Sequence, residues 1–84
     1  LLLLRRGELL VQVAADAARP FHVRSAEGDV RALGTRFLVR QEDDATRVVV
    51  LQHSVRASLD DGSTRDLLEG QAALLRERGI ELLG

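Results

Sequence analysis

The sequence predicts an all-β domain, with short antiparallel strands folded into a small sandwich or a solenoid-like roll. Three observations carry that expectation. Alternating apolar and polar runs recur at intervals of about ten residues, so successive side chains take opposite faces. Turn chemistry separates the runs at Glu27-Gly28-Asp29, at the acidic stretch Gln41 to Ala45, and at Asp60-Asp61-Gly62-Ser63. Of the 84 residues 45% are hydrophobic, yet only two are aromatic, both Phe. The core must therefore be Leu, Val and Ala, with Phe21 and Phe37 as its large fillers.

Each element follows from its own residues. Leu1 to Leu4 is too short to span a membrane or serve as a signal-peptide core, and reads as a strand before Gly7. Leu9, Val11 and Val13 alternate with Glu8, Leu10 and Gln12. Ala14 to Ala18 is a small Ala-rich link ended by Pro20, and proline there starts an extended run. In that run Phe21 and Val23 share one face, His22 and Arg24 the other. Val30 to Val39 reads as strand again, interrupted at Gly34 by a bulge or a close backbone approach. Beyond it, Thr35, Phe37 and Val39 face one way and Arg36, Leu38 and Arg40 the other. Thr46 to Leu51 is apolar apart from Arg47 and predicts a strand covered on both faces.

Val55, Ala57 and Leu59 alternate with Arg56 and Ser58, and Asp-Gly at 61–62 makes a hairpin turn with Thr64 to Leu67 as its return strand. The last stretch admits two readings. Leu68, Ala72, Leu75 and Leu82 fall on a helical stripe, but Gly70 and Gly79 would each cost a helix interior about 1 kcal/mol. Strands at Gln71 to Arg76 and Ile80 to Leu83 are the favoured reading. Leu4-Arg5-Arg6-Gly7-Glu8 is echoed by Leu67-Leu68-Glu69-Gly70-Gln71, a repeated turn before an apolar run that suits a stacked β architecture.

Composition excludes several functions. The net charge is −1 with signs interspersed, so no basic stripe or aromatic platform marks a nucleic-acid binder. All 12 basic residues are Arg and there is no Cys, which rules out a disulfide framework or thiolate metal site. His22 and His53 lack ligand spacing. Asp43-Asp44 and Asp60-Asp61 lack the further oxygen ligands of a calcium loop. No nucleophile elbow or phosphate loop surrounds Ser54, Ser58 or Ser63. Arg24, Arg31, Arg36, Arg40 and Arg47 are expected to form an outward stripe, either a solvated face with weak pairs to Glu27, Asp29, Glu42 or Asp43, or a docking surface for an acidic partner. A carbohydrate-binding β-domain would want aromatics, and a cupin-like metal enzyme would want a ligand cluster.

Arg19-Pro20-Phe21-x-Val23, followed by Val30-x-Ala32-Leu33-Gly34-Thr35-x-Phe37-x-Val39, resembles the core of the periplasmic FecR domain. Gly7-Glu8, Thr46-x-Val48-x-Val50 and Leu68-Glu69-Gly70-Gln71 fall where that domain has similar residues, so the resemblance runs from Arg5 to Leu75. One departure stands out: the family has a glycine just before Val55, where this chain has Gln52-His53-Ser54. The turn there must be made without glycine.

The resemblance implies a single FecR-like β-domain over residues 1–84, a piece of a longer chain. It would be the periplasmic domain of an inner-membrane, single-pass regulator of an extracytoplasmic-function sigma factor. Its implied partner is the signalling domain of a TonB-dependent outer-membrane receptor, typically for iron chelates, while the sigma factor is held by a segment outside these residues. Arg19, Pro20, Phe21, Gly34, Thr35, Phe37, Val39 and Gly70 are implied to shape the fold. No catalytic, cofactor or metal residue is implied. The terminal runs Leu1 to Leu4 and Ile80 to Leu83 are the expected free edges and the expected route of self-association.

Overall fold

Alternation decides which side of each strand is buried, and here it buries one face of most strands against a facing sheet. The computed structural model describes residues 2–12, 21–32 and 35–83. Its strands are β1 (Leu2–Leu3), β2 (Gly7–Gln12), β3 (Phe21–Arg24), β4 (Gly28–Ala32), β5 (Arg36–Gln41), β6 (Thr46–Gln52), β7 (Ser54–Leu59), β8 (Thr64–Leu68), β9 (Ala72–Arg76) and β10 (Gly79–Leu83). The first sheet has the order β1-β3-β4-β7-β8 and the second β2-β5-β6-β9-β10. All pairings are antiparallel except β1 with β3, which is parallel and is prolonged by the Leu4 N–H donating to the Arg24 carbonyl at 2.7 Å.

The connections follow a rule. Hairpins are dealt alternately to the two sheets: β3–β4 to the first, β5–β6 to the second, β7–β8 to the first, β9–β10 to the second. Each new hairpin pairs with the outer strand of the one before it in the same sheet, so both sheets extend in one direction. Between them lies one core, with Val23, Val30, Ala57, Leu59 and Leu67 on one side and Phe37, Val39, Val48, Val50, Ala73 and Leu75 on the other. Phe37 is fully buried, whereas Phe21 packs partly buried at the margin.

Several expectations change in detail. Val30 to Val39 is not one bent strand, because β4 and β5 lie in opposite sheets and the chain crosses over between them. The first turn sits at Ser25-Ala26-Glu27, closed by the Ser25 N–H donating to the Gly28 carbonyl at 2.8 Å. Gly28 is thus a strand residue, and its missing side chain admits the Ser58 carbonyl of β7. β6 is covered on one face only: Thr46, Val48 and Val50 are buried, but Val49 is half-buried and Leu51 exposed. Leu51 stands at a register shift opposite Arg36 and Phe37, the bulge that ends the regular β5–β6 ladder.

The glycine-free segment Gln52-His53-Ser54 is not a hairpin but the corner where the chain leaves one sheet for the other. His53 makes it by adopting φ +62°, the left-handed region. The C-terminal residues are strands, as favoured. Both glycines of the internal echo, Gly7 at φ +85° and Gly70 at φ +84°, make the same left-handed step into a strand of the second sheet. The Ala-rich link, Arg19, Pro20 and Gly34 lie outside the described residues.

Candidate functional site

The motif residues that are described serve the core. Thr35, Phe37 and Val39 all point inward and are essentially inaccessible. The Thr35 hydroxyl donates to the Ser54 carbonyl at 2.8 Å and so ties the start of β5 to the start of β7 in the opposite sheet. Gly70 is exposed; its N–H donates to the Val50 carbonyl at 3.0 Å, anchoring the β8–β9 connection on β6.

At the other end of the sandwich sits a polar clasp that the sequence did not announce. Thr46, at an inward position of β6, is fully buried. Its hydroxyl oxygen lies 2.6 Å from Glu27 Oε1, 2.8 Å from Ser25 Oγ and 3.3 Å from Gln41 Oε1. The Ser25 hydroxyl donates to the Gly28 carbonyl at 3.2 Å, and Gln41 Nε2 donates to Glu27 Oε1 at 2.8 Å. The Ala26 N–H donates to Gln41 Oε1 at 3.1 Å. The clasp joins the β3–β4 turn of one sheet to the β5–β6 turn of the other. A buried polar cluster is tolerable only when its members satisfy one another, and among the described residues no buried side-chain nitrogen or oxygen lacks a partner. The available signal was Ser25 and Thr46 interrupting otherwise apolar inward positions.

The arginines divide between two outer faces instead of forming one stripe. Arg24 and Arg31 belong to the first sheet; Arg36, Arg40 and Arg47 belong to the second. Arg24 pairs with Asp60, and Arg47 Nε lies 3.0 Å from Glu42 Oε2. His22 Nδ1 lies 3.1 Å from Asp29 Oδ2 on the neighbouring strand. Arg56 grips Asp66 with two N–H groups, at 2.8 and 3.3 Å. Those bonds hold the Asp66 carboxyl below the usual range and raise the Arg56 guanidinium. Asp61 is also lowered, by the Ser63 N–H and hydroxyl in the hairpin turn.

The outer face of the second sheet carries an apolar row across all five strands: Leu10, Leu38, Val49, Ala72 and Leu83 stand in register. Leu10 and Leu51 are 53% and 41% exposed, so this face is not a wholly polar one. Among the described residues the free edges are β1 and β10, as expected, and also β8 and β2. Among the described residues no cluster of three or more His, Cys, Asp or Glu is arranged to hold a metal, and no helix is long and apolar enough to cross a membrane.

The described residues thus form a two-sheet β-domain tied at one end by a polar clasp, with the outer sheet faces and the strand edges at its surface. The chain belongs to the FecR family, a regulatory and non-enzymatic kind of protein: the model of that family, described as FecR protein, matches residues 2–56. Crystal structures at 1.65 and 2.50 Å resolution of a provisionally named anti-sigma factor from Parabacteroides distasonis ATCC 8503 share the fold. Each has a TM-score of 0.78 and 31% identity, over 96% of this chain and 39% of theirs. The chain thus spans well under half the length of those proteins. No curated protein matches it significantly in sequence.

Proposed function

We propose that this chain is the periplasmic β-domain of a single-pass inner-membrane regulator of an extracytoplasmic-function sigma factor, and that residues 1–84 form one domain of that longer protein. In this role it relays a signal from a TonB-dependent outer-membrane receptor. Family membership over residues 2–56 carries the reading, supported by the likeness to a protein named as an anti-sigma factor. The domain works by binding, without cofactor or nucleic acid. The motif residues Arg19, Pro20, Phe21, Gly34, Thr35, Phe37, Val39 and Gly70 set the scaffold.

A free strand edge offers unpaired backbone groups to an incoming strand, where the main chain supplies affinity and alternate side chains supply selectivity. β10 and β1 are the edges suited to this, and the isolated protein self-associates through them; a monomer independent of concentration in sedimentation would refute that step. The relay itself is tested by affinity capture from the envelope fraction on the immobilised full-length protein. Recovery of a TonB-dependent receptor is expected. Recovery of surface polysaccharide or surface-layer material alone would overturn the relay.

A further inference from the structure

The outer face of the first sheet holds a row that is unusual in its charges. Reading across β3, β4, β7 and β8, the residues in register are His22, Arg31, Arg56 and Asp66. Arg31 and Arg56 are direct cross-strand partners, and like charges directly opposite each other destabilise a sheet. Among the described residues Asp66 pairs with Arg56 alone, and Asp29, two residues before Arg31 on β4, is engaged with His22. Arg31 makes no ion pair among the described residues. Beside it lies a groove of about 290 Å³ lined by Arg31, Ser54, Val55, Arg56 and Asp66.

We infer that this groove is a recognition site for a carboxylate of an acidic peptide segment on a partner protein. Asp66 occupies two of the five N–H donors of Arg56 and fixes its plane, leaving the others directed past it. Arg31 contributes an unengaged fork, and forks of this shape match carboxylates in two parallel hydrogen bonds. Ser54 also lines the groove, and its hydroxyl can supply a neutral donor. The buried β-core beneath, including Val55, keeps the two strands in fixed register, so Arg31 and Arg56 leave the sheet side by side. An incoming carboxylate would relieve the repulsion that the free domain carries. A single carboxylate fits better than inorganic phosphate, because the Asp66 carboxylate in the groove opposes the greater charge that phosphate concentrates on one group.

The inference depends on the relay only for the identity of the partner, so its test reads the site itself. The protein is titrated with a blocked pentaglutamate peptide, and separately with inorganic phosphate at equal ionic strength, while amide chemical shifts are followed. Shifts confined to Arg31, Ser54, Arg56 and their neighbours are expected, with the peptide the tighter ligand.

Arg31→Gln should weaken the peptide by about tenfold, the loss of a charge-assisted pair. It should also raise the melting temperature by about 1–5 °C, since a repelling charge is gone. Loss of binding with gain of stability cannot come from a merely structural arginine. Arg36→Gln, on the other sheet, should leave the affinity unchanged. No localised shift, equal loss in both variants, or phosphate binding as tightly as peptide would each overturn the assignment, and none would bear on receptor capture.

Discussion

Replacing Gly28 with alanine should be among the most damaging small changes in the molecule. Gly28 opens β4 opposite Leu59 of β7, in a backbone conformation any residue can adopt, so the cost is steric rather than torsional. A Cβ placed there would overlap the Ser58 carbonyl oxygen outright and would lie 3.2 Å from Ser58 C and 3.4 Å from Leu59 Cα. All three atoms are backbone and cannot swing aside. Relief requires β4 and β7 to part locally, at about 1–3 kcal/mol for overpacking a filled interior. Parting also weakens, without breaking, the two Ser25 bonds to the Gly28 carbonyl, at a combined cost of about 1 kcal/mol.

The sum is about 2–4 kcal/mol, which in a domain of this size lowers the melting temperature by roughly 10–25 °C. Thermal and urea unfolding followed by circular dichroism read it directly. Gly79→Ala is the control, since nothing lies within 4 Å of a Cβ there, and it should shift stability by less than about 0.5 kcal/mol. A Gly28→Ala protein within about 1 kcal/mol of the parent would refute the steric argument.

Three further outcomes are expected. Thr46→Val removes the hydroxyl at the centre of the clasp and should cost about 1–3 kcal/mol, seen as a lower urea midpoint, whereas Thr46→Ser keeps most of that stability. His53→Val should destabilise by about 1–2 kcal/mol, because a β-branched residue tolerates the left-handed φ of +62° worse than histidine does; an unchanged or higher midpoint would count against it. Asp66 and Asp61 have lowered values in the folded state, so their contribution is present above the ordinary carboxylate value near about 4 and is lost as pH falls through the lowered one. The melting temperature should therefore drop in acid, and Asp66→Asn should make that drop shallower in a pH series.

Much of the architecture was legible because one face of each strand must be buried and the period of 2 says which. Thr35, Phe37 and Val39 were assigned together and are buried together. The Asp61-Gly62 turn carries its own chemistry, and Gly62 takes the left-handed φ of +93° that the dipeptide favours. What periodicity could not reveal was sheet membership. Whether the chain passing Gly34, or rounding His53, continues its sheet or changes to the other leaves the alternation untouched. For the same reason the arginines of β4 and β5 read as one stripe although a whole core separates them. The clasp was hidden because Ser25, Glu27, Gln41 and Thr46 are ordinary turn and strand residues until folding brings them together. The pairing of Arg31 opposite Arg56 depends on cross-strand register, which no local pattern records.

The alternating deal of hairpins bears on when each part of the molecule can exist. Every hairpin after the first docks on an edge supplied by residues that precede it, so assembly can keep pace with a chain emerging from its N-terminus. No early strand waits for a distant later one to complete its own hairpin. The last arrival, β9–β10, is held by β6 along one side alone. It should be the first to let go, exchanging its amide protons well before β4 and β7 do.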